Sequence, residues 1–317
     1  MKKLFITIGV YSFLILLMLE LLVRILHLGK DTPTRYVDQY NVEKWLPNQH
    51  GFAVTGNRRQ NFSEYKINQS GYNSYREFEP SYDKTEIALV GDSFIEGFHE
   101  NYYNSIGKKI ETLIDTVEVY EYGYAGYDMA DQLHLINAYK KQFDKIDYVI
   151  LGIKFSNDLT RGEYNVVQER LALESPLNRT LKKSKLLVYA KSIGLLEPPK
   201  SFIKKIKNLL IDKQKNSNQQ SKPAIKKEKD RIYLENFEKL VAKYGFDKKR
   251  FILLLDSNET SPIFLEFLNA NKFRYIDYHE QFKVSKRPKN LIYDRHWNNY
   301  GRTLIADAIA SYIKCAY

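Results

Sequence analysis

The sequence predicts an α/β fold: a three-layer α/β/α sandwich around a five-stranded, mainly parallel sheet, preceded by one N-terminal transmembrane helix. From residue 84 onward, short continuous apolar runs alternate with stretches of helical periodicity. Strands buried on both faces of a parallel sheet have this continuous apolar character. Residues 4–19 carry no charge, and the apolar stretch that continues to residue 25 is long enough to cross a bilayer.

The composition excludes several classes of protein. Of the 317 residues, 44% are hydrophobic and 27% are charged, which is enough for a core and argues against disorder, a collagen-like repeat or a coiled coil. The single cysteine, Cys315, excludes an intramolecular disulfide framework and a cysteine-based zinc cluster.

The net charge of +11 belongs to one segment. Residues 179–231 contain 16 Lys or Arg and four acidic residues, so the rest of the chain is close to neutral. Aromatic residues, which nucleic-acid-binding segments interleave with their basic residues, are sparse among these lysines. We therefore expect no nucleic-acid partner.

The N-terminal stretch, residues 1–28, is interpreted as a membrane anchor. Lys2 and Lys3 precede the apolar run, and Glu20 and Arg24 interrupt it four residues apart, where they can pair on one helical face. A cleaved signal peptide and a buried core helix are the alternatives, but no small-residue cleavage site follows the run. The two lysines favour a single-pass protein with an extracytoplasmic body, although basic residues beyond the run reduce that asymmetry.

The elements follow in order. Residues 29–83 are polar, rich in Tyr, Asn and Gly and without a sustained period, so we expect an irregular lead-in that packs on a hydrolase domain at 84–317. Strands are predicted at 87–90, 117–122, 148–153, 251–255 and 275–278, and helices at 105–114, 130–142, 261–270 and 300–313. In such sheets the chemistry gathers beyond the carboxyl ends of the strands.

A basic insertion at about 160–231 interrupts this alternation. It contains an apolar helix candidate around 186–189, an amphipathic, lysine-rich helix candidate at 202–210 and a polar run at 212–222. One interpretation is contact with an anionic surface; the other is a solvated helix that caps the core. The sequence leaves both open.

Unusual residues stand directly after three predicted strands and near the C-terminus. Ser93, within Gly-Asp-Ser-Phe, occupies a strand-to-helix turn, where its hydroxyl can serve as a nucleophile. His296 can take the hydroxyl proton, and Asp294 can orient the imidazole if the two residues meet around a turn. The oxyanion donors would be the N–H groups of Ser93 and Gly126 and the amide of Asn157.

Each of these residues alone has a simpler explanation as a turn, a loop glycine, a helix cap or a structural histidine. Their order along one sheet edge is what supports a serine acyl-transfer site. No metal or cofactor is expected, since no histidine pair has the spacing of a motif such as H-E-x-x-H. The serine also lacks the closing glycine of the Gly-x-Ser-x-Gly elbow found in α/β-hydrolases.

Taken together, the motifs resemble those of the SGNH (GDSL-type) hydrolases. Gly91-Asp92-Ser93 is similar to the nucleophile block of that family, Gly126 and Asn157 to its glycine and asparagine blocks, and Asp294-Arg-His296 to its acid–base block. The stretches 67–72 and 296–302 resemble membrane-anchored bacterial members. One departure is that a single residue separates Asp294 from His296, where the family has two. The resemblance implies a flavodoxin-like SGNH fold over residues 60–315 apart from the insertion.

The function expected from this is a membrane-tethered esterase or O-acyltransferase acting on acyl esters, with acetyl preferred, of a cell-surface carbohydrate. Four tyrosines near the site are candidates for sugar stacking; the alternative is that the 25 tyrosines of the chain reflect its composition alone. The four are Tyr120, Tyr122, Tyr124 and Tyr127. The alternatives are a lipid or thioester acyl-hydrolase with a longer acyl pocket, and a non-catalytic polysaccharide-binding scaffold of an export system.

Overall fold

A long, exposed helix opens the structure, a computed structural model that describes residues 1–55, 60–196 and 222–316. Helix α1 spans Lys2–Ile25. Its most apolar 18-residue window has a mean hydropathy of 2.4, and only 6% of that window is buried, so it is not a core helix. By length and composition it can span a membrane or act as a signal sequence. Arg24 pairs with Glu20 at 2.6 Å, as the sequence predicts.

The lead-in forms two β-hairpins, so the expectation of an irregular segment was wrong. Strands β1 (Arg35–Val37) and β2 (Glu43–Trp45) pair antiparallel, as do β3 (His50–Thr55) and β4 (Asn61–Lys66). All three residues of β2 are buried although two of them are charged. Ion pairs within the fold compensate the two buried charges. A strand with charged residues at buried positions has no apolar alternation, so the sequence pattern did not indicate β2.

The central sheet confirms the predicted α/β class. It comprises β5 (Thr85–Gly91), β6 (Val117–Gly123), β7 (Tyr148–Gly152), β8 (Phe251–Leu255) and β9 (Tyr275–Asp277), all parallel, in the order β6-β5-β7-β8-β9. This is the flavodoxin-like 2-1-3-4-5 order, in which ligand sites form where the strand order reverses, outside the carboxyl ends of the strands. Here that point lies at the ends of β5, β6 and β7.

Helices cover both faces of the sheet. They are α2 (Ser93–Glu96), α3 (Ile106–Leu113), α4 (Met129–Ala138), α5 (Lys140–Phe143), α6 (Gln168–Ala172), α7 (Pro176–Lys183), α8 (Lys185–Ser192), α9 (Lys222–Tyr244), α10 (Pro262–Ala270), α11 (His279–Val284) and α12 (Asn299–Ala316). One apolar cluster joins the sheet to α4, α9 and α10, and a second joins it to α3 and α12. The sheet therefore lies between two layers of helices, which is the predicted three-layer α/β/α sandwich.

Two helical predictions need correction. The helix predicted at 130–142 is divided into α4 and α5, with Tyr139 between them outside helical geometry. Helix α9 was not predicted, and residue 231, the predicted end of the insertion, lies inside it. Its buried residues Tyr233, Phe237 and Leu240 recur every three or four positions, but lysines and glutamates surround them.

Other predictions are not decided by the structure. The helix predicted at 202–210 and nearly all of the polar run at 212–222 lie outside the described residues. The division of the chain at residues 28 and 83 stays a prediction.

Candidate active site

The sequence folds Ser93 onto the tight turn that follows β5. Asp92 caps the short helix α2: its Oδ1 accepts the backbone N–H of Phe94 at 2.9 Å. Ser93 is the first residue of α2, and its own N–H has no acceptor among the residues that the structure describes. The helix ends after one turn at Gly97, whose φ of +72° suits glycine. The turn therefore presents both the hydroxyl and a free N–H of Ser93 at the sheet edge.

His296 and Asp294 meet Ser93 from the C-terminal part of the chain. The Nε2 atom of His296 lies 2.6 Å from Ser93 Oγ, across 203 positions of sequence. Its Nδ1 atom bonds Asp294 Oδ1, which also accepts the backbone N–H of His296 at 3.0 Å. Burial alone would raise the pKa of Asp294, but these two hydrogen bonds outweigh it and hold the pKa below its ordinary value. The chain curls around Asp294 as the spacing requires.

A second histidine, His99, completes this arrangement, and no sequence motif pointed to it. Its Nε2 lies 3.2 Å from Asp294 Oδ2, and its ring stacks on His296 with centroids 3.9 Å apart. Burial, then the neighbouring His296, lowers the pKa of His99 to about 4, so the ring is neutral at pH 7. A neutral imidazole has one N–H, and the unpartnered Nδ1 of His99 places that hydrogen on Nε2, facing Asp294.

The same three side chains are grouped closely enough to hold a metal ion. They are the group of this kind found among the residues that the structure describes. The ligand atoms of His99, Asp294 and His296 all lie within 4.8 Å of one another. Asp294 bonds one nitrogen of each histidine, and Nε2 of His296 faces Ser93. These hydrogen bonds suit the three side chains to the movement of a proton at Ser93.

The three predicted oxyanion donors follow three neighbouring strands at one edge of the sheet. Gly126 follows β6, the neighbour of β5; its φ is +97°, and its N–H has no acceptor among the described residues. Asn157 follows β7, on the other side of β5. Its side chain is exposed, and the bond described for it is from Ser156 Oγ at 3.3 Å. The structure thus joins Ser93, His296 and Asp294 directly and leaves Gly126 and Asn157 on adjacent loops.

Comparisons with known proteins give only distant likenesses. No family model matches the chain. Similar solved structures include a lipase/acylhydrolase from Enterococcus faecalis (14% identity, TM-score 0.41, covering 73% of this chain and 96% of that one). Others are a lipolytic protein of the G-D-S-L family from Veillonella parvula (12%, 0.38, 73% and 98%) and a two-domain esterase active on acetylated mannans (10%, 0.41, 73% and 49%).

One curated protein matches part of the chain. A stretch of 113 residues is 25% identical to the large ribosomal subunit protein uL29m of Lodderomyces elongisporus. The match covers 35% of this chain and 36% of that protein, so the chain spans about a third of its length.

The strand order and the site geometry are more informative than these likenesses. Four sequence blocks occur in SGNH order, and three of their residues are hydrogen bonded to one another at the carboxyl edge of a 2-1-3-4-5 sheet. The chain has the five-stranded parallel sheet and the serine–histidine–aspartate arrangement that its resemblance to the SGNH hydrolases implies.

A buried carboxyl group, Glu96, connects three parts of the fold by hydrogen bonds. Its Oε1 accepts the indole N–H of Trp45 at 2.7 Å and the backbone N–H of Ala125 at 3.0 Å. Trp45 belongs to the lead-in, and Ala125 directly precedes Gly126. Burial raises the pKa of Glu96 to about 7, against the opposing effect of these hydrogen bonds. Through Glu96, the lead-in is therefore hydrogen bonded to helix α2, which begins at Ser93, and to the loop that contains Gly126.

The tyrosines expected to stack on sugar are core residues instead. Tyr120, Tyr122, Tyr124 and Tyr127 are each at most 2% exposed. The hydroxyl of Tyr124 donates to the carboxylate of Glu43 at 2.6 Å, and the ring of Tyr122 packs on other aromatic rings. Tyr120 and Tyr122 are enclosed because β6 is buried on both faces. Tyr124 and Tyr127 follow β6 and are enclosed against β2, where both hydroxyls donate to Glu43. Sugar stacking by these four residues is therefore excluded.

A cavity of about 250 Å³ lies beside Ser93. Its apolar lining is Phe94, Ile153, Phe155, Tyr278, Phe282 and Trp297, and its charged lining is Lys154, Asp256, Glu259 and Arg295. Lys154 Nζ lies 2.6 Å from Asp92 and 3.4 Å from the centroid of the Phe94 ring, which fixes one wall next to Ser93. None of the described residues of 160–231 lines it, so the long acyl pocket considered for a lipid hydrolase is not formed by them.

Proposed function

We propose that this protein is a membrane-tethered serine esterase or O-acyltransferase that handles short acyl esters of a cell-surface carbohydrate through an acyl-serine intermediate. The observation that carries the proposal is the 2.6 Å contact between Ser93 Oγ and His296 Nε2, with Asp294 bonded to the opposite ring nitrogen. This is the relation between nucleophile, base and orienting carboxylate that serine acyl transfer requires. A protein that only binds carbohydrate has no need of it.

In the first step, Ser93 Oγ attacks the ester carbonyl carbon. The hydroxyl proton passes to His296 Nε2 as the C–O bond to Ser93 forms, and the carbonyl electron pair moves onto the oxygen. The carboxylate of Asp294 stabilises the imidazolium and keeps its other N–H in place. The intermediate then collapses: the bond to the alcohol oxygen breaks, and His296 returns the proton to that leaving group.

The oxyanion that develops in the first step is stabilised by hydrogen-bond donors that are already in position before the reaction. The free N–H of Ser93 at the start of α2 and the free N–H of Gly126 are suited to this role, since neither is used by another acceptor among the described residues. The amide of Asn157 is assigned as the third donor. Its exposed side chain would turn toward the substrate when the site is filled. Loss of one such donor lowers turnover by a factor on the order of 10²–10³.

In the second step, an acceptor oxygen attacks the acyl carbon, and His296 takes the proton from it. The bond between the acyl carbon and Ser93 Oγ then breaks, and His296 returns the proton to Ser93 Oγ, which restores the free hydroxyl. Water as acceptor gives hydrolysis, and a sugar hydroxyl gives transfer. Both use the same atoms of this chain, so the reaction class is serine acyl transfer in either case.

The cavity beside Ser93 supports a short acyl group and a hydroxylated partner. At about 250 Å³ it is small, and its mixture of aromatic faces with carboxylates offers both stacking surfaces and hydrogen-bond acceptors for sugar hydroxyls. Acetyl is the preferred acyl group. The membrane tether is assigned to α1, and the body is proposed to lie on the extracytoplasmic side.

The test uses the full-length protein with a fluorophosphonate probe and p-nitrophenyl acetate. Ser93→Ala removes the nucleophile and His296→Ala removes the base, so we expect probe labelling and ester turnover to be lost in both. Ser192→Ala, an exposed serine on α8, is the matched control and should behave as wild type. Turnover that persists in Ser93→Ala with an intact fold would refute the mechanism, and a folded wild type that never labels would favour the scaffold alternative.

A further inference from the structure

Residues 173–196, here called the platform, are attached directly to the end of the membrane-anchor candidate. The carboxylate of Glu20 in α1 accepts hydrogen bonds from the Ser184 hydroxyl and from the first two backbone N–H groups of α8, at 2.8–2.9 Å. Arg24 donates to the carbonyl of Lys183 at 2.6 Å. Glu20 therefore serves as a second cap for α8, in addition to Ser184 itself.

This attachment fixes where the platform stands relative to a bilayer. The uncharged run 4–19 is about 24 Å long at 1.5 Å per residue, and a hydrocarbon core is about 30 Å thick. A core of about 30 Å that begins at residue 4 takes about 20 helical residues, so the boundary of a bilayer crossed by α1 falls in its last turn, between Glu20 and Arg24. Because Glu20 and Arg24 bind the junction of α7 and α8, the platform is held at the membrane surface.

The platform exposes leucines that the fold leaves uncovered. Leu177 is 70% exposed and Leu181, one helical turn later in α7, is 46% exposed. Leu187 in α8 and Leu195 beyond it are 40% and 73% exposed. Large apolar side chains concentrated on short helices, with cations between them, are typical of segments that lie in the boundary between lipid headgroups and acyl chains.

Cations accompany these leucines. The platform has five Lys or Arg and one acidic residue, Glu174. Between the platform, the end of α1 and the lead-in lies a cavity of about 560 Å³, whose basic lining is Arg24, Lys30, Arg179, Lys182, Lys183 and Lys185. Two carboxylates line it as well, Asp31 and Glu174, each paired with a lysine of the platform. The cations outnumber them three to one, so the cavity attracts anions.

We propose that the platform docks on the surface of an anionic bilayer, with its leucines in the headgroup boundary and the basic cavity facing anionic lipid phosphates. The proposal rests on the membrane tether of the proposed function. It adds that the body is held against the lipid by a second, distinct surface and does not swing freely on α1. The cavity beside Ser93 is then kept at a fixed height above the bilayer.

The experiment is depth-resolved tryptophan quenching of the full-length chain in nanodiscs. The two native tryptophans, Trp45 and Trp297, are 2% and 7% exposed and give a constant background. Leu177→Trp places a reporter on the platform. Discs are made from phosphatidylcholine alone or with about one quarter phosphatidylglycerol, with or without bromine on the acyl chains. We expect brominated lipid to lower the added emission of Leu177→Trp by about twofold, and more in the anionic discs.

Two reporters separate the platform from the tether. Phe13→Trp, in the middle of α1, should be quenched in every disc, whereas Tyr82→Trp, 78% exposed and just before β5, should not be. Quenching at position 13 but not at 177 would overturn the platform and leave the tether intact. Absence of quenching at both positions would overturn both. Equal quenching at 177 in neutral and anionic discs would overturn the role of the basic cavity.

Discussion

His99 is the residue whose importance only the folded structure reveals. The two oxygens of Asp294 are divided between two histidines: Oδ1 serves His296 and Oδ2 serves His99. Because a single residue separates Asp294 from His296, the carboxylate sits on a tight curl, and a second donor restricts its rotation. His99 is thus a positioning residue that acts on the base through Asp294.

We expect His99→Phe, which keeps the stacked ring but removes the N–H, to lower kcat about tenfold with little change in KM, since misplacement of a catalytic group slows the chemical step. His99→Gln retains a donor and should recover most of that loss. The measurement is steady-state hydrolysis of p-nitrophenyl acetate by both variants. Equal losses in the two variants would mean that His99 only fills space.

The residues that the sequence identified and those it missed differ in kind. Ser93, Asp294 and His296 stand in short motifs next to glycine, tryptophan and asparagine, so their types and order are visible in the chain. His99 and Glu96 matter because of what the fold places opposite them. A buried carboxyl bonded to Trp45 and Ala125 has no local signature.

Among the elements, the loop that carries Asp294 and His296 is held by one asparagine. Asn298 donates its side-chain amide to the carbonyl of Pro288 at 2.9 Å and accepts the N–H of Gly301 at 2.9 Å, which caps the start of α12. Added at Gly301, a Cβ would lie 2.2 Å from the carbonyl oxygen of Lys289. This explains why the motif after the histidine ends in glycine.

Asn298→Ala should therefore lower the free energy of unfolding by about 1–3 kcal/mol, because several polar groups lose their partners. It should also reduce turnover by loosening the loop. Asn299→Ala is the matched control: the neighbouring asparagine is exposed, and its change should stay within about 0.5 kcal/mol. Urea unfolding and ester turnover measure both effects. Similar results for the two asparagines would show that the loop does not depend on Asn298.

Elements were predictable where burial and apolar character coincide. The five strands of the sheet are continuous apolar runs, and their predicted positions agree with the structure to within two residues. The hairpins of the lead-in bury charged residues such as Lys44, paired with Asp38 at 2.8 Å, and α9 mixes its apolar face with many charges. The conformation of the hairpins and of α9 depends on packing against distant parts of the chain, which the local hydrophobic pattern does not indicate.

At the scale of the whole molecule, a neutral buried histidine makes stability depend on pH. His99 has a pKa of about 4 in the folded chain and an ordinary value of 6.5, so between these values the unfolded chain binds a proton that the folded chain does not. Stability therefore rises with pH through this window and is lost as the pH falls from 6.5 toward 4.

Between pH 7 and pH 4.5, we expect the free energy of unfolding of wild type to fall by about 2–3 kcal/mol more than that of His99→Gln, because glutamine does not titrate. Urea unfolding at the two pH values measures this difference, and His50→Gln, an exposed histidine, is the control. Parallel pH dependence in wild type and His99→Gln would show that folding does not lower the pKa of His99.

The central claim is that two distant parts of one chain build a nucleophilic serine. Ser93 follows the first strand of the sheet, and His296 precedes the last helix, so only the completed fold joins them. The most direct test is intact-protein mass spectrometry after rapid acid quench of the full-length protein with p-nitrophenyl acetate. The account predicts one added acetyl group of about 42 Da, located on the peptide that contains Ser93 and absent in Ser93→Ala. Turnover without such an adduct, or an adduct that persists in Ser93→Ala, would contradict it.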